Sequence, residues 1–281
     1  MKTIAELAGA SSSGNIRWEP LLLKVVEGYL ESNSIFRQFC KIFPLENTYT
    51  ANIPRSFSTG EAVEIVEGME IPAVRQVLST VDVKVTANGT AFEISDEAKR
   101  LNFYGDLVAS ELEEAMKRML RKENQDIVNT LAGASGTVTA DVEEDGLLQF
   151  SDIVDLRVKM EGNPYWAQPN LMLISPERYA DLVKDDMFVD FSQSNTLSPL
   201  REGTVGGNIA GINVVPIPEI QGFGYMMDMS QNPLWLVVLQ DVVAEAFRLH
   251  DNRTEKVQIT SYQKPAVLKP HAIGKLDMKE E

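Results

Sequence analysis

The chain has 281 residues, 44% apolar and 24% charged, enough to bury one sizeable core or two modest ones. Its formal net charge of −15 argues against binding nucleic acid through a broadly basic surface and makes free monomers repel one another. No apolar run approaches the roughly 18–20 residues of a membrane-spanning helix. The opening MKTIAELAGASSSGNIRW lacks the apolar stretch of a secretory signal, so a cytoplasmic product with no membrane partner is expected.

Residues 1–16 are small, polar and Gly/Ser-containing, and read as a flexible arm. From Trp18 the pattern turns helical: Pro20 suits a first turn, and Leu21, Leu22, Val25, Val26, Tyr29 and Leu30 share helical spacing. A second short helix is expected over 34–42, ending before Pro44. Residues 49–57 read as a strand that Pro54 marks as an edge or a free arm, and Ser58-Thr59-Gly60 as a turn. Four glutamates follow (Glu61, Glu64, Glu67 and Glu70), with Gly68 and Pro72 breaking any regular element. Residues 77–86 alternate as a strand, Val81, Val83 and Val85 to one side and Asp82 and Lys84 to the other, and 90–94 form a further strand.

Ser95 is expected to cap a short helix reaching about Phe103, with Asp96 and Glu97 in the first turn, where the helix dipole favours acids. Asp106 is expected to cap the next helix, which carries Val108, Leu112, Ala115, Met119, Ile127, Val128 and Leu131. That helix is about 26 residues, or roughly 39 Å, and stops at the Gly-rich run AGASGT. Beyond it, 150–161 reads as a helix capped by Ser151, 171–174 as a short buried strand, and Ser175-Pro176 as the start of the helix PERYADLVK. A loop rich in Ser, Asn and Gly runs to Gly211. Residues 212–216, 234–239, 242–249 and 254–268 read as strands, and Pro270 opens a last short helix, HAIGKL. The class is mixed α+β in two lobes, one at roughly 145–245 and the other discontinuous in sequence.

Few residues suggest chemistry. Cys40 is the lone cysteine, so no intrachain disulfide forms, and its setting IFRQFCKIF reads as packing. His250 and His271 lie far apart with no cysteine beside either, which excludes a zinc spacing and leaves no nucleophile–base pair. The run GTVGGN at 203–208 lacks a GK[ST] ending and is read as a loop rather than a phosphate cradle. The glutamates at 61–70 do not match a calcium loop and suit a solvated arm or an intersubunit ion-pair surface. Catalytic, cofactor and metal sites are therefore not assigned. The one concentrated basic patch is Lys117, Arg118, Arg121 and Lys122. It can meet nucleic-acid phosphates or a neighbour's glutamates, or pair internally, Glu113 with Lys117 and Glu114 with Arg118.

Taken together, NIPR, GEAVEIVEGMEIP, the alternating valine strand, ISDEA and the long helix resemble the major capsid proteins of tailed phages and tailed archaeal viruses, the Hong Kong 97-type capsid fold. LMLISPERYADLVKDD, GNIAGINVVPIPEI and KPAVLKPHAIGKL continue the resemblance in the expected order, over roughly 30–276. The resemblance implies an N-terminal arm at 1–46, an extended hairpin loop at 47–86 lying over an adjacent subunit, a peripheral domain at 87–144 and 246–281 with a long spine helix, and an axial domain at 145–245.

The function it implies is an icosahedral shell of pentamers and hexamers around double-stranded viral DNA. Separate scaffold, portal and decoration proteins are possible partners, assembly takes place in the host cytoplasm, and no catalysis is involved. Arg55, Glu61, Glu64, Glu67, Glu70 and Arg75 become candidate intersubunit contacts, and Lys117, Arg118, Arg121 and Lys122 candidate lumen- or DNA-facing residues. Some members weld the shell through an extended-loop lysine, but residues 50–83 hold none, and the guanidinium of Arg55 or Arg75 is a poor nucleophile, so a non-covalent shell is expected. The short arm implies either a chain already processed or a separate scaffold, and Met1 favours the latter. The alternatives are an encapsulin-type nanocompartment of the same fold and a soluble α+β enzyme with an unrecognised carboxylate site.

Overall fold

A computed structural model of the chain describes residues 34, 36–57, 77–99, 104–142, 147–162, 164–184, 207–209, 211–249 and 253–278. The strands are β1 (Lys41–Pro44), β2 (Thr50–Phe57), β3 (Val77–Lys84), β4 (Thr86–Ser95), β5 (Val138–Val142), β6 (Leu171–Ile174), β7 (Gly207–Ile209), β8 (Ile212–Pro216), β9 (Gly224–Met227), β10 (Leu234–Leu249), β11 (Thr254–Val267) and β12 (Ile273–Met278). The helices are α1 (Asp96–Lys99), α2 (Tyr104–Ala132), α3 (Phe150–Glu161) and α4 (Pro176–Lys184). They fall into two compact units. One is drawn from Met1–Tyr49, Lys84–Asn129 and Trp235–Ala266, the other from Thr50–Val83, Thr130–Leu234 and Val267–Glu281.

In the first unit a four-stranded sheet runs β1-β10-β11-β4, with β1 parallel to β10 and β11 antiparallel to β4. The apolar stripe of α2 (Leu112, Ala115, Met116, Met119 and Leu120) buries against Phe92 and Ile94 of β4, Val257 and Ile259 of β11, and Val242 and Ala244 of β10. Helical spacing on one partner and alternation on the others brings these residues to one layer. Ser95 caps α1 as expected, its Oγ accepting from the Ala98 N–H at 3.2 Å.

The second unit is built on a mixed six-stranded sheet, β5-β12-β9-β6-β8-β7. β6 is buried along its whole length, like β9 beside it. Helix α3 packs Ile153, Leu156 and Met160 into a core with Met172, Ile174, Val214, Met226 and Leu276. Two glycines allow the close approaches: a Cβ on Gly274 would lie 2.6 Å from Met160 Sδ, and one on Gly224 only 2.7 Å from the Leu173 carbonyl oxygen. Ser175 caps α4, accepting from the Arg178 N–H at 3.3 Å. β2 and β3 form a separate two-stranded sheet.

Several sequence expectations are corrected. Residues 34–42 are not a helix: a single 3-10 turn at Phe36–Gln38 gives way to β1, whose register beside Trp235 supplies the hydrogen bonds a short isolated helix lacks. Helix α2 starts at Tyr104, two residues before the expected cap Asp106, and has 29 residues. The residue preceding α3 is Gln149, whose N–H donates to Asp152 Oδ2 at 2.9 Å, so Ser151 lies inside the helix. The two strand segments after Leu234 are one 16-residue strand. After the 3-10 turn Pro270–Ala272, HAIGKL continues as β12, not as a helix. β5, β7 and β9 were not anticipated. Gly207 and Asn208 of the GTVGGN run belong to β7, and 203–206 lie outside the described residues, as do the helix expected from Trp18, the turn at 58–60 and His250.

Candidate assembly surfaces

The outer face of α2 carries the basic patch. Lys117 Nζ pairs with Glu113 at 3.0 Å and Glu114 at 3.2 Å, so one of the two expected internal pairs is present. Arg118 instead donates its Nε to the Glu114 backbone carbonyl at 3.3 Å. Lys122 pairs with Asp126 at 2.6 Å, one turn on. Arg121 is exposed and has no charged partner among the described residues, which leaves it and Arg118 as the cations open to an outside anion.

What fixes that face is a polar cluster beneath it, which the sequence did not reveal. Glu123 points inward and is buried. It accepts from Arg37 Nη2 at 3.0 Å, Gln263 Nε2 at 2.8 Å and Ser34 Oγ at 3.3 Å. Arg37 also reaches Asp241 at 3.0 Å. Burial opposes the Arg37 charge, but hydrogen bonds and charge from Glu123 and Asp241 outweigh it and keep the guanidinium firmly protonated. The segment before β1, helix α2 and strands β10 and β11 are thereby locked in one register. Among the described residues Glu123 is the one buried polar side chain of α2; that break in its apolar stripe was the available signal.

On the second unit, Asp228 organises a turn. Its carboxylate accepts from the N–H groups of Gln168 and Ser230 at 3.0 Å and from Gln231 Nε2 at 2.9 Å. The other face of Gln231 meets His271 Nε2 at 3.2 Å. Beside this turn opens a cleft of about 620 Å³ lined by Arg157, Trp166, Gln168, Asn170 and Ser230, among others. Trp166 is 70% exposed and has a positive φ of 49°, a backbone conformation that costs a non-glycine residue free energy. Arg55 lies on β2, its Nε 3.3 Å from Ser79 Oγ. Glu61, Glu64, Glu67, Glu70 and Arg75 lie outside the described residues. Among the described residues there is no group of three or more potential metal ligands, and no helix is long and apolar enough to cross a membrane.

The sequence family described as phage capsid protein matches residues 78–267, from β3 through the end of β11. The chain belongs to this phage capsid protein family.

Solved structures of the same fold include the capsid of the cyanophage P-SCSP1u, at 13% identity and a TM-score of 0.70 over 88% of this chain and 89% of that one. A virus-like particle from Pyrococcus furiosus matches at 13% identity and a TM-score of 0.62, over 93% and 100% of the two chains. The SrpI encapsulin of Synechococcus elongatus PCC 7942 matches at 11% and 0.61, over 99% and 95%. No curated protein sequence matches the chain. The fold is thus of the Hong Kong 97 capsid type, and the chain is a phage capsid protein.

Proposed function

We propose that copies of the chain assemble into the icosahedral shell of a virion, which encloses double-stranded viral DNA, is held without covalent welds and carries out no catalysis. The family match across both units carries this reading. The lysine-free stretch 50–83 supports non-covalent closure, since an isopeptide weld from the extended loop needs an amine. Arg55 and Arg75, with Glu61, Glu64, Glu67 and Glu70, are proposed as intersubunit contacts. Arg118 and Arg121, with Lys117 and Lys122, are proposed to face the lumen or a subunit boundary. There a −15 subunit needs local cations to tolerate packaged polyanion. We assign 1–46 to the arm, whose β1 joins the four-stranded sheet, 47–86 to the extended loop, α2 with β4, β10 and β11 to the peripheral domain, and the six-stranded sheet to the axial domain. Pairing of β12 with β5 and β9 supports counting both β5 and β12 with the axial domain rather than the peripheral one. Separate scaffold, portal and decoration proteins and assembly in the host cytoplasm complete the reading.

The encapsulin and Pyrococcus furiosus particle matches favour a second reading, a shell filled with protein. Absorbance of nuclease-treated particles at 260 and 280 nm decides. A nucleic-acid-dominated ratio supports the DNA-filled capsid, and a protein ratio with co-purifying cargo supports the nanocompartment. A denaturing gel of the same particles should show monomers, and covalent ladders would remove the non-covalent claim.

A further inference from the structure

Trp166 is the most exposed large apolar side chain among the described residues. Its indole meets no other ring and no cation there. The backbone nevertheless holds it in place. The Tyr165 and Trp166 N–H groups both donate to the Gly162 carbonyl oxygen, at 2.9 and 3.2 Å, and the Ala167 N–H donates to the Met160 carbonyl oxygen at 3.0 Å. Tyr165 packs on the core, while Trp166, at its positive φ, stands in solvent at the cleft. Strain that presents an apolar ring to water adds nothing to a core, and strain of this kind concentrates at binding sites.

The cleft beside the indole is polar and electrically balanced. Its two charged lining residues, Arg157 and Glu161, pair with each other at 2.7 Å. Gln168 is exposed; its backbone N–H is the group bound to Asp228, and its side-chain amide has no partner among the described residues. Asn170 accepts from the Met229 N–H through Oδ1 at 3.0 Å, which leaves its side-chain NH2 unspent among those residues. A single short segment therefore carries the ring and two amides.

We infer that this cleft binds a neutral pyranose sugar, with one C–H face of the sugar ring stacked on Trp166 and the rim hydroxyls bonded to Gln168 and Asn170. A pyranose is apolar across its ring face and polar around its edge, and the cleft has the same division. The indole covers the C–H face through burial and dispersion. Side-chain amides both donate and accept, as sugar hydroxyls do. Other ligand classes fit less well. A wholly apolar molecule would strand the amides without partners. A phosphate-bearing ligand needs a cation to spare, and Arg157 is engaged by Glu161. A proline-rich peptide needs a groove lined by several aromatic rings, and Trp166 is the one aromatic residue lining the cleft among the described residues. The site is preorganised, because the bonds to Gly162, Met160 and Asp228 have already ordered the segment. All its residues come from one copy, so the inference goes beyond the shell reading and does not depend on it.

Saturation-transfer NMR on the purified full chain tests this, with methyl β-glucoside, methyl β-galactoside and methyl α-mannoside as probes. At least one glycoside should take up saturation, most strongly at the ring C–H protons of one face. Trp166→Ala should weaken its binding by about tenfold, and Trp166→Phe should keep most of it. Gln168→Ala should weaken it by about threefold. Both side chains are exposed, so the melting temperatures of these variants should match that of the unaltered chain and separate lost binding from lost folding. No transfer to any of the three glycosides, or transfer that Trp166→Ala leaves unchanged, overturns the inference. Stronger transfer to a hexaproline peptide or to adenosine monophosphate, lost in Trp166→Ala, also overturns it and assigns the cleft to that ligand class.

Discussion

Arg37 and Glu123 stand 86 positions apart in the chain and share three hydrogen bonds of 3.0–3.3 Å, with the Glu123 side chain only 3% exposed. Removing one member strands the other. Glu123→Ala should cost about 3–5 kcal/mol, because the guanidinium loses its buried counter-charge. Asp241, 54% exposed, contributes less, and Asp241→Ala should cost under about 1 kcal/mol. Urea denaturation of dissociated subunits measures both, and equal losses would show that the buried half of the cluster has no special weight.

Gly224→Ala should destabilise the subunit by about 1–3 kcal/mol, since the new methyl would lie 2.7 Å from a backbone oxygen that cannot rotate away. Gly222→Ala, two residues earlier, meets nothing within 4 Å and carries only the strain of its φ of +118°. The difference between the two melting temperatures isolates the steric part, and equal melting temperatures would contradict it.

Acid should weaken the second unit in two steps. Burial raises the Asp228 pKa, but hydrogen bonds from Ser230, Gln168 and Gln231 outweigh it and hold the carboxyl below its ordinary value. The sign is that of a depressed carboxylate: its stabilisation is full above the unfolded value of about 3.9 and is lost as pH falls through the folded one. His271 is also depressed, by burial and then by Lys269 and Arg55. Its unfolded form takes up protons more readily, so stability declines earlier, as pH falls from about 6.5 toward the folded value. Thermal melts across the acid range should show both declines, and His271→Gln should remove only the upper one.

Cys40 should resist modification in the native protein. It is buried, and burial first, then the Glu123 charge, pushes its thiol up to about 12, leaving little thiolate at neutral pH. A colorimetric thiol reagent should react within seconds in denaturant and negligibly without it; rapid native reaction would mean that the segment around β1 opens readily.

Legibility followed the range of the forces. β6, β8, α4 and the Ser95 cap were readable because their cues, short apolar runs and capping hydroxyls, lie within a few residues. β5 and β12 were missed or misread because each is a strand only through its partner: Gly274 pairs with Val138, 136 positions away by subtraction of the numbers. HAIGKL has no period of its own, and Pro270 suggested a helix start that yields only one 3-10 turn. At the candidate surfaces the basic patch was legible as composition. Its support was not, because Arg37 and Gln263 converge on Glu123, and Asp241 on Arg37, only in the folded state. The Trp166 cleft carried no motif, and only the fold brings its lining residues Gln168 and Ser230 together at Asp228.

The position of β12 within its sheet sets a clock on synthesis. Its neighbours β5 and β9 are made earlier, yet they flank it, so β5 has no partner and β9 pairs only with β6 until residue 278 has been made. A nascent subunit thus keeps two unsatisfied strand edges during translation and cannot present a finished docking face to chains on neighbouring ribosomes. Polymerisation is deferred to the moment the strand is supplied, and a chain cut before β12 should accumulate as an insoluble by-product rather than enter shells.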